Sequence, residues 1–170
     1  MKQTSIIYWT AVKTSFGDCF VAEQNGKLVR SFLPGQTQAA FLKTLQKNKK
    51  IDIKNKQTPV LKQAAVQLKE YFLGKRKDFN LPLNPQGTSF QQAVWKKLTH
   101  IPFGKTKSYQ DIAIGIKNEK AVRAVGGANN KNPLPIFVPC HRVIGKNGSM
   151  TGFGGGIPLK IKMLELENKN

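Results

Sequence analysis

Cys140, His141 and Arg142 stand in a row directly after Pro139, at the end of the apolar run Pro135-Ile136-Phe137-Val138. A thiol, an imidazole and a guanidinium side by side are the ingredients of nucleophilic sulfur chemistry. A free thiol has a pKa of about 8.5, so little of it is thiolate at neutral pH. Cys140 therefore needs a base or a positive field, and His141 can supply the base. Neighbouring residues on an extended strand point to opposite faces. Contact between the two thus requires Pro139 to end the strand-like run and turn the chain, or a bridging water. Arg142 can brace the same loop through a carboxylate or backbone carbonyls.

Competing chemistries find little support. Two cysteines (Cys19, Cys140) and two histidines (His100, His141), widely spaced, make no zinc pattern, and neither a metal nor another cofactor is expected. Cys19 opens a strand beside Phe20 and Val21 and reads as a small buried hydrophobe. Ile6-Ile7-Tyr8-Trp9 is too short for a secretory segment or a membrane span, so two free thiols in the cytoplasm are expected and no membrane partner. Lys and Arg number 28 against 9 Asp and Glu, a net charge of +19 that commonly marks a nucleic-acid partner. A lysine-rich, asparagine-rich composition produces the same balance without any such partner. The charge is also evenly spread, with 15 basic and 5 acidic residues in 1–82 and 13 and 4 in 83–170. It locates no site.

The elements that must position the triplet follow from pattern. Ile6–Val12 is strand-like, and Cys19–Leu33 reads as a hairpin turning on Asn25-Gly26, a pair suited to positive φ. A helix is expected over Thr37–Lys47. Another starts at Thr58-Pro59, with Leu61, Ala64, Ala65, Leu68 and Phe72 on one face and Gly74 to end it. Gly74–Ser89, rich in charge, Pro and Gly, is the boundary between residues 1–82 and 83–170. Beyond it, Thr88–Leu98 is a capped amphipathic helix, and Ser108 with Asp111 forms a capping box for a second. A third runs from about Glu119 through "KAVRAVGGA" with Asn118 as its N-cap. The last two outline a helix-turn-helix. Arg123 sits within its second helix, where a planar guanidinium can stack on a base, although an ordinary solvated arginine fits the pattern equally.

"PCHRVIG", with Asn132 in "NPLP" ahead of it and "RAVGGA" (Arg123–Ala128) before that, resembles the O6-alkylguanine-DNA alkyltransferase family. So do "GTSFQQAVWKKL…IPFGKTKSYQDIA" and "GSMTGFGGGIPLKIKMLELE", in the family's order and spacing. The resemblance covers about Gly87 to Glu167 well and the first half loosely. It implies an α+β protein, a small N-terminal α/β ribonuclease-H-like domain followed by a mainly helical, winged-helix-like DNA-binding domain with a helix-turn-helix. It also implies direct-reversal DNA repair, in which Cys140 takes the alkyl group from O6 of guanine and keeps it, each molecule acting once without a cofactor. O4-alkylthymine is a further substrate left open.

The same resemblance assigns roles. His141 takes the thiol proton through a water, Glu167 holds the imidazole, Asn132 braces the active-site turn, and Tyr109 donates to the departing guanine. The target base must leave the duplex. Arg123 then fills the gap, with Asn118 and Lys131 as further DNA contacts, while Val143, Pro135, Phe153, Gly154 and Gly155 form the base pocket. The partner implied is double-stranded DNA containing alkylated guanine, bound through the minor groove by a chain that is monomeric in solution, with cooperative binding along DNA left open. The chain departs from the family pattern in three places: Glu119 follows Asn118 where proline is usual, Asn130-Lys131 replaces Gly-Arg, and Phe153 replaces a tyrosine. The rival readings are a protein that binds alkylated bases without transfer, and a thiol-dependent hydrolase or redox protein.

Overall fold

The computed structural model describes residues 5–46 and 51–170, which fall into two compact units, Met1–Pro85 and Gln86–Asn170. In the first, β1 (Ser5–Thr14), β2 (Gly17–Gln24), β3 (Lys27–Phe32) and β4 (Ile51–Asn55) form a sheet in the order β3-β2-β1-β4. The expected hairpin is β2–β3. Asn25 at φ 54° and Gly26 at φ 76° adopt the left-handed turn that this pair tolerates. β4 is a strand the sequence pattern did not reveal. Its alternation is only Ile51-x-Ile53 amid lysines and asparagines, and it pairs in parallel with β1.

Helix α1 (Gln38–Leu45) is capped by the Thr37 hydroxyl, and the expected end at Lys47 lies outside the described residues. Phe41 and Leu45 of α1 close over Ile7, Trp9, Phe20 and Val29. Helix α2 (Pro59–Phe72) has its Thr58 cap and Pro at the first turn, ends before Gly74 at φ 72°, and packs on β1 and β2. Cys19 is fully buried in β2, and burial pushes its thiol up to about 12, which makes it inert as read. The segment after α2 does not dangle. Leu28 N donates to Pro82 O and Asn84 N to Leu28 O, both at 2.8 Å, so the chain lies along the edge of β3.

The second unit is mainly helical. Helix α3 (Ser89–Leu98) carries a capping box between Thr88 and Gln91 and buries Val94, Trp95 and Leu98. A two-residue strand β5 (Lys107–Ser108) leads into α4 (Tyr109–Gly115), whose Ser108–Asp111 capping box is present as expected. Helix α5 (Val122–Asn130) follows. A 3-10 turn at Cys140–Arg142 then runs into β6 (Val143–Ile144), which pairs in parallel with β5, and α6 (Ile157–Asn168) ends the fold. The Trp95 indole donates to Ala128 O at 2.8 Å and ties α3 to α5. Gly87 permits this packing, since a Cβ there would lie 2.4 Å from the Trp95 ring.

Two expectations are corrected. Asn118 does not cap the second helix of the helix-turn-helix. α5 begins at Val122 after Ala121, with no side-chain cap, because Lys117 turns left-handed at φ 59° and residues 118–121 close a turn through Ala121 N to Asn118 O. Residues 135–138 are not a strand either. Pro135 and Val138 bridge each other across a tight turn with Ile136 at φ 78°, so the apolar side chains are buried by folding back rather than by pairing in a sheet.

Candidate active site

That turn sets the nucleophile. Asn132 Nδ2 donates to Val138 O at 2.8 Å and its Oδ1 accepts from Leu134 N at 3.0 Å, so one amide ties both arms of the turn. Cys140 N bonds Val138 O, and the chain enters the 3-10 turn with Cys140, His141 and Arg142 all buried. Burial pushes the Cys140 thiol up to about 11. Asn132, the Lys160 ammonium and backbone N–H groups act in the opposite direction and reduce the rise. The free thiolate is therefore scarce, and a base is required.

The sequence expectation gives that role to His141, the next residue in the turn. Its Nε2 meets Glu167 Oε1 at 2.7 Å with both side chains buried. With Nε2–H donated to the carboxylate, the lone pair lies on Nδ1, the atom through which the thiol proton can be taken. Burial lowers the imidazole's pKa against the pull of Glu167, which favours the form that can accept a proton. Glu167 comes from α6, whose buried face is Lys160, Met163, Leu164 and Glu167, the i, i+3, i+4, i+7 spacing of one helical stripe.

Glu167 also answers the question posed by Arg142. The guanidinium donates from Nε to Oε2 at 2.9 Å, from Nη2 to Oε1 at 3.0 Å, and from Nη1 to Ile101 O at 2.7 Å. Gly104 N completes the carboxylate's shell at 3.0 Å. Burial by itself would raise the Glu167 carboxyl. The hydrogen bonds and charges of His141 and Arg142 outweigh it and hold the group at about 2. A carboxyl depressed in the folded state stabilises the fold fully above its ordinary pKa of 4.5 and loses that contribution as pH falls through about 2. The expected loss is about 3 kcal/mol across that window, and acid unfolding curves of the protein and of Glu167→Gln should differ by that dependence.

Tyr109 opens α4, with its hydroxyl donating to Thr151 O at 3.1 Å; burial raises its pKa. The expected pocket residues differ in burial. Val143 and Pro135 are buried, Phe153 and Gly155 are half-buried, and Gly154 is exposed. Arg123, Asn118 and Lys131 are exposed, Arg123 on α5 itself. Lys160 was missed by the sequence reading. Its ammonium, fully buried, donates to Val143 O at 2.5 Å and Thr151 O at 3.0 Å, clasping the two ends of the glycine-containing loop between them. Its place on the apolar stripe of α6 was the available signal.

Comparison with known proteins agrees with this architecture. Residues 89–169 match the DNA-binding domain of 6-O-methylguanine DNA methyltransferase, and residues 7–85 its ribonuclease-like domain. The constitutive methylated-DNA–protein-cysteine methyltransferase of Bacillus subtilis is 46% identical over 161 residues, 94% of each chain. The methylated-DNA–protein-cysteine methyltransferase of Methanosarcina barkeri is 39% identical, over 96% of this chain and 99% of its own. A crystal structure of the Mycobacterium tuberculosis OGT in complex with DNA superimposes with a TM-score of 0.82 at 38% identity, covering 95% and 93% of the two chains. The expected α+β fold is borne out in both halves. The chain belongs to the 6-O-methylguanine DNA methyltransferase family.

Proposed function

We propose that the protein is a methylated-DNA–protein-cysteine S-methyltransferase, which moves the alkyl group from O6 of guanine in duplex DNA to Sγ of Cys140. The observation that carries this reading is the buried array Cys140, His141 and Glu167, with Glu167 fixing the imidazole through Nε2 at 2.7 Å. His141 takes the thiol proton on Nδ1. The thiolate attacks the alkyl carbon, the C–O6 bond breaks, and its electron pair stays on the purine. Tyr109 donates a proton to the purine, which leaves as neutral guanine, and the proton on His141 restores the hydroxyl. The thioether is stable, so each molecule acts once. With substrate in excess, transfer should stop at one equivalent, whereas a thiol hydrolase would continue to turn over.

Duplex DNA is the partner, with α5 as the reading helix and Asn118 and Lys131 as backbone contacts. Val143, Pro135, Phe153, Gly154 and Gly155 receive the base, and Arg123 occupies the position it vacates. Flipping a base costs a few kcal/mol, so Arg123→Ala should slow transfer from a duplex by roughly tenfold or more. Transfer from free O6-benzylguanine, which needs no flipping, should stay unchanged. Comparing the two rate constants checks the assignment. No helix among the described residues is long and apolar enough to cross a membrane. The two free, buried thiols support the cytoplasm as the site of action.

A further inference from the structure

A groove between the C-terminal half of α3 and α4 takes no part in the chemistry above. It consists of two adjoining hollows of about 300 and 320 Å³ that share Lys97, His100 and Gly115 as lining. Ile101 and Ile112 form its buried floor, while Ile114, 48% exposed, and the half-buried Ile116 stand on its walls. Lys97 separates the hollows. Its stem crosses Gly115, where a Cβ would collide with Lys97 Cε. His100 Nδ1–H donates to Lys96 O at 2.7 Å, which fixes the imidazole as a wall common to both hollows. Among the described residues, none of α5, α6 or the Cys140 turn lines the groove.

The rim is positive. Lys96, Lys97 and Lys107 are exposed, and among the described residues none of the three forms a salt bridge. Asp111, the acid that lines the groove, is already engaged. Its Oδ2 accepts from Ser108 N at 2.8 Å in the α4 capping box, with Lys107 near enough to favour its charge. A chain of net charge +19 attracts any polyanion, so the lysines alone select nothing. The selecting feature is an apolar hollow beneath them. Its complement is a segment of inverse pattern, aliphatic side chains to cover the isoleucines and carboxylates to meet the ammonium groups. Duplex DNA offers phosphates but no aliphatic side chain to enter the hollows. We propose that the α3–α4 groove is a docking site for an acidic segment of a partner protein. Its aliphatic side chains fill the hollows on either side of Lys97 while its carboxylates pair with Lys96, Lys97 and Lys107. A segment bound there leaves the Cys140 turn and α5 unoccupied, so the partner holds the protein while its reactive site stays open. The proposal does not depend on the alkyl-transfer reading.

The test uses the full chain and a short fluorescein-labelled peptide in which two leucines stand among glutamates, with binding followed by anisotropy. Two control peptides replace the leucines by serine or the glutamates by glutamine. The protein is compared with Ile114→Ser, Lys97→Glu and Lys62→Glu. The last reverses an exposed charge on α2, outside the groove. Circular dichroism of each variant verifies that it is folded. Binding of the leucine–glutamate peptide should saturate, and each control peptide should bind roughly fivefold more weakly or worse. Ile114→Ser and Lys97→Glu should each lower the affinity about five- to tenfold, while Lys62→Glu stays within about twofold of the protein. No saturable binding, or equal binding of the serine peptide, would overturn the proposal. So would equal losses in Lys97→Glu and Lys62→Glu, since overall charge would then be the cause. Weaker binding of duplex DNA by Lys97→Glu and Ile114→Ser, with peptide affinity unchanged, would assign the groove to nucleic acid and overturn it too.

Discussion

Cys140→Ala should abolish alkyl transfer and leave duplex DNA binding intact. The substitution removes one sulfur atom from a buried turn whose shape is set by other groups, the Asn132 amide and the bond from Cys140 N to Val138 O. DNA contacts are assigned to exposed residues of α5 and its surroundings, none of which touches that sulfur. Cys19 cannot substitute, because it lies in a strand of the other unit with a thiol at about 12. His141→Ala should be intermediate. The Cys140 thiol at about 11 is almost wholly protonated at neutral pH, and losing its base should slow transfer by about 10²- to 10⁴-fold. Gel-shift binding and single-turnover transfer, measured on the same preparations, check both effects. Residual transfer in Cys140→Ala would move the acceptor elsewhere.

Glu167→Ala should produce the largest loss of stability of any single substitution in the site. The carboxylate accepts from His141, Arg142 and Gly104, and all of it is buried. Removing it strands the Arg142 guanidinium, which is only 6% exposed and retains Ile101 O as a partner. Breaking a buried pair in this way costs about 3–5 kcal/mol, or roughly 10 °C in melting temperature for a chain of this size. The double variant Arg142→Met/Glu167→Ala should recover a good part of that loss, since the stranded charge is gone. Thermal melts of the single and double variants test this. Equal destabilisation in the two would show that the guanidinium is not the cause. In the same single variant, transfer should fall as well, because the His141 tautomer is no longer fixed.

The contrast between Arg142 and Lys160 shows what the sequence can reveal. Arg142 stands beside the reactive pair, so its role as a brace through a carboxylate and a backbone carbonyl could be stated before the fold was known. Lys160 is one of 24 lysines, and nothing in its chemistry separates it from the rest. Only its helical register with Met163, Leu164 and Glu167 marks it as buried. The hairpin at Asn25-Gly26 and the capping box at Ser108 were legible because a single local interaction decides each. β4 was not, because two isoleucines carry its whole signal and its pairing with β1 is a long-range event. Residues 135–138 misled for a related reason. Apolar content foretold their burial correctly, while the means of burial was a turn with Ile136 at positive φ, a conformation disfavoured for a branched side chain. Asn118 failed as a cap because the turn at Lys117 delays the helix to Val122.

The central claim, that Cys140 is the permanent acceptor, is tested most directly by mass. The protein is mixed with an excess of duplex oligonucleotide carrying one O6-methylguanine, and intact and peptide masses are recorded. One added methylene on the peptide containing Cys140, saturating at one per molecule, is the result expected. An unchanged mass alongside clear binding of the oligonucleotide, or a methyl group on any other residue, would contradict it.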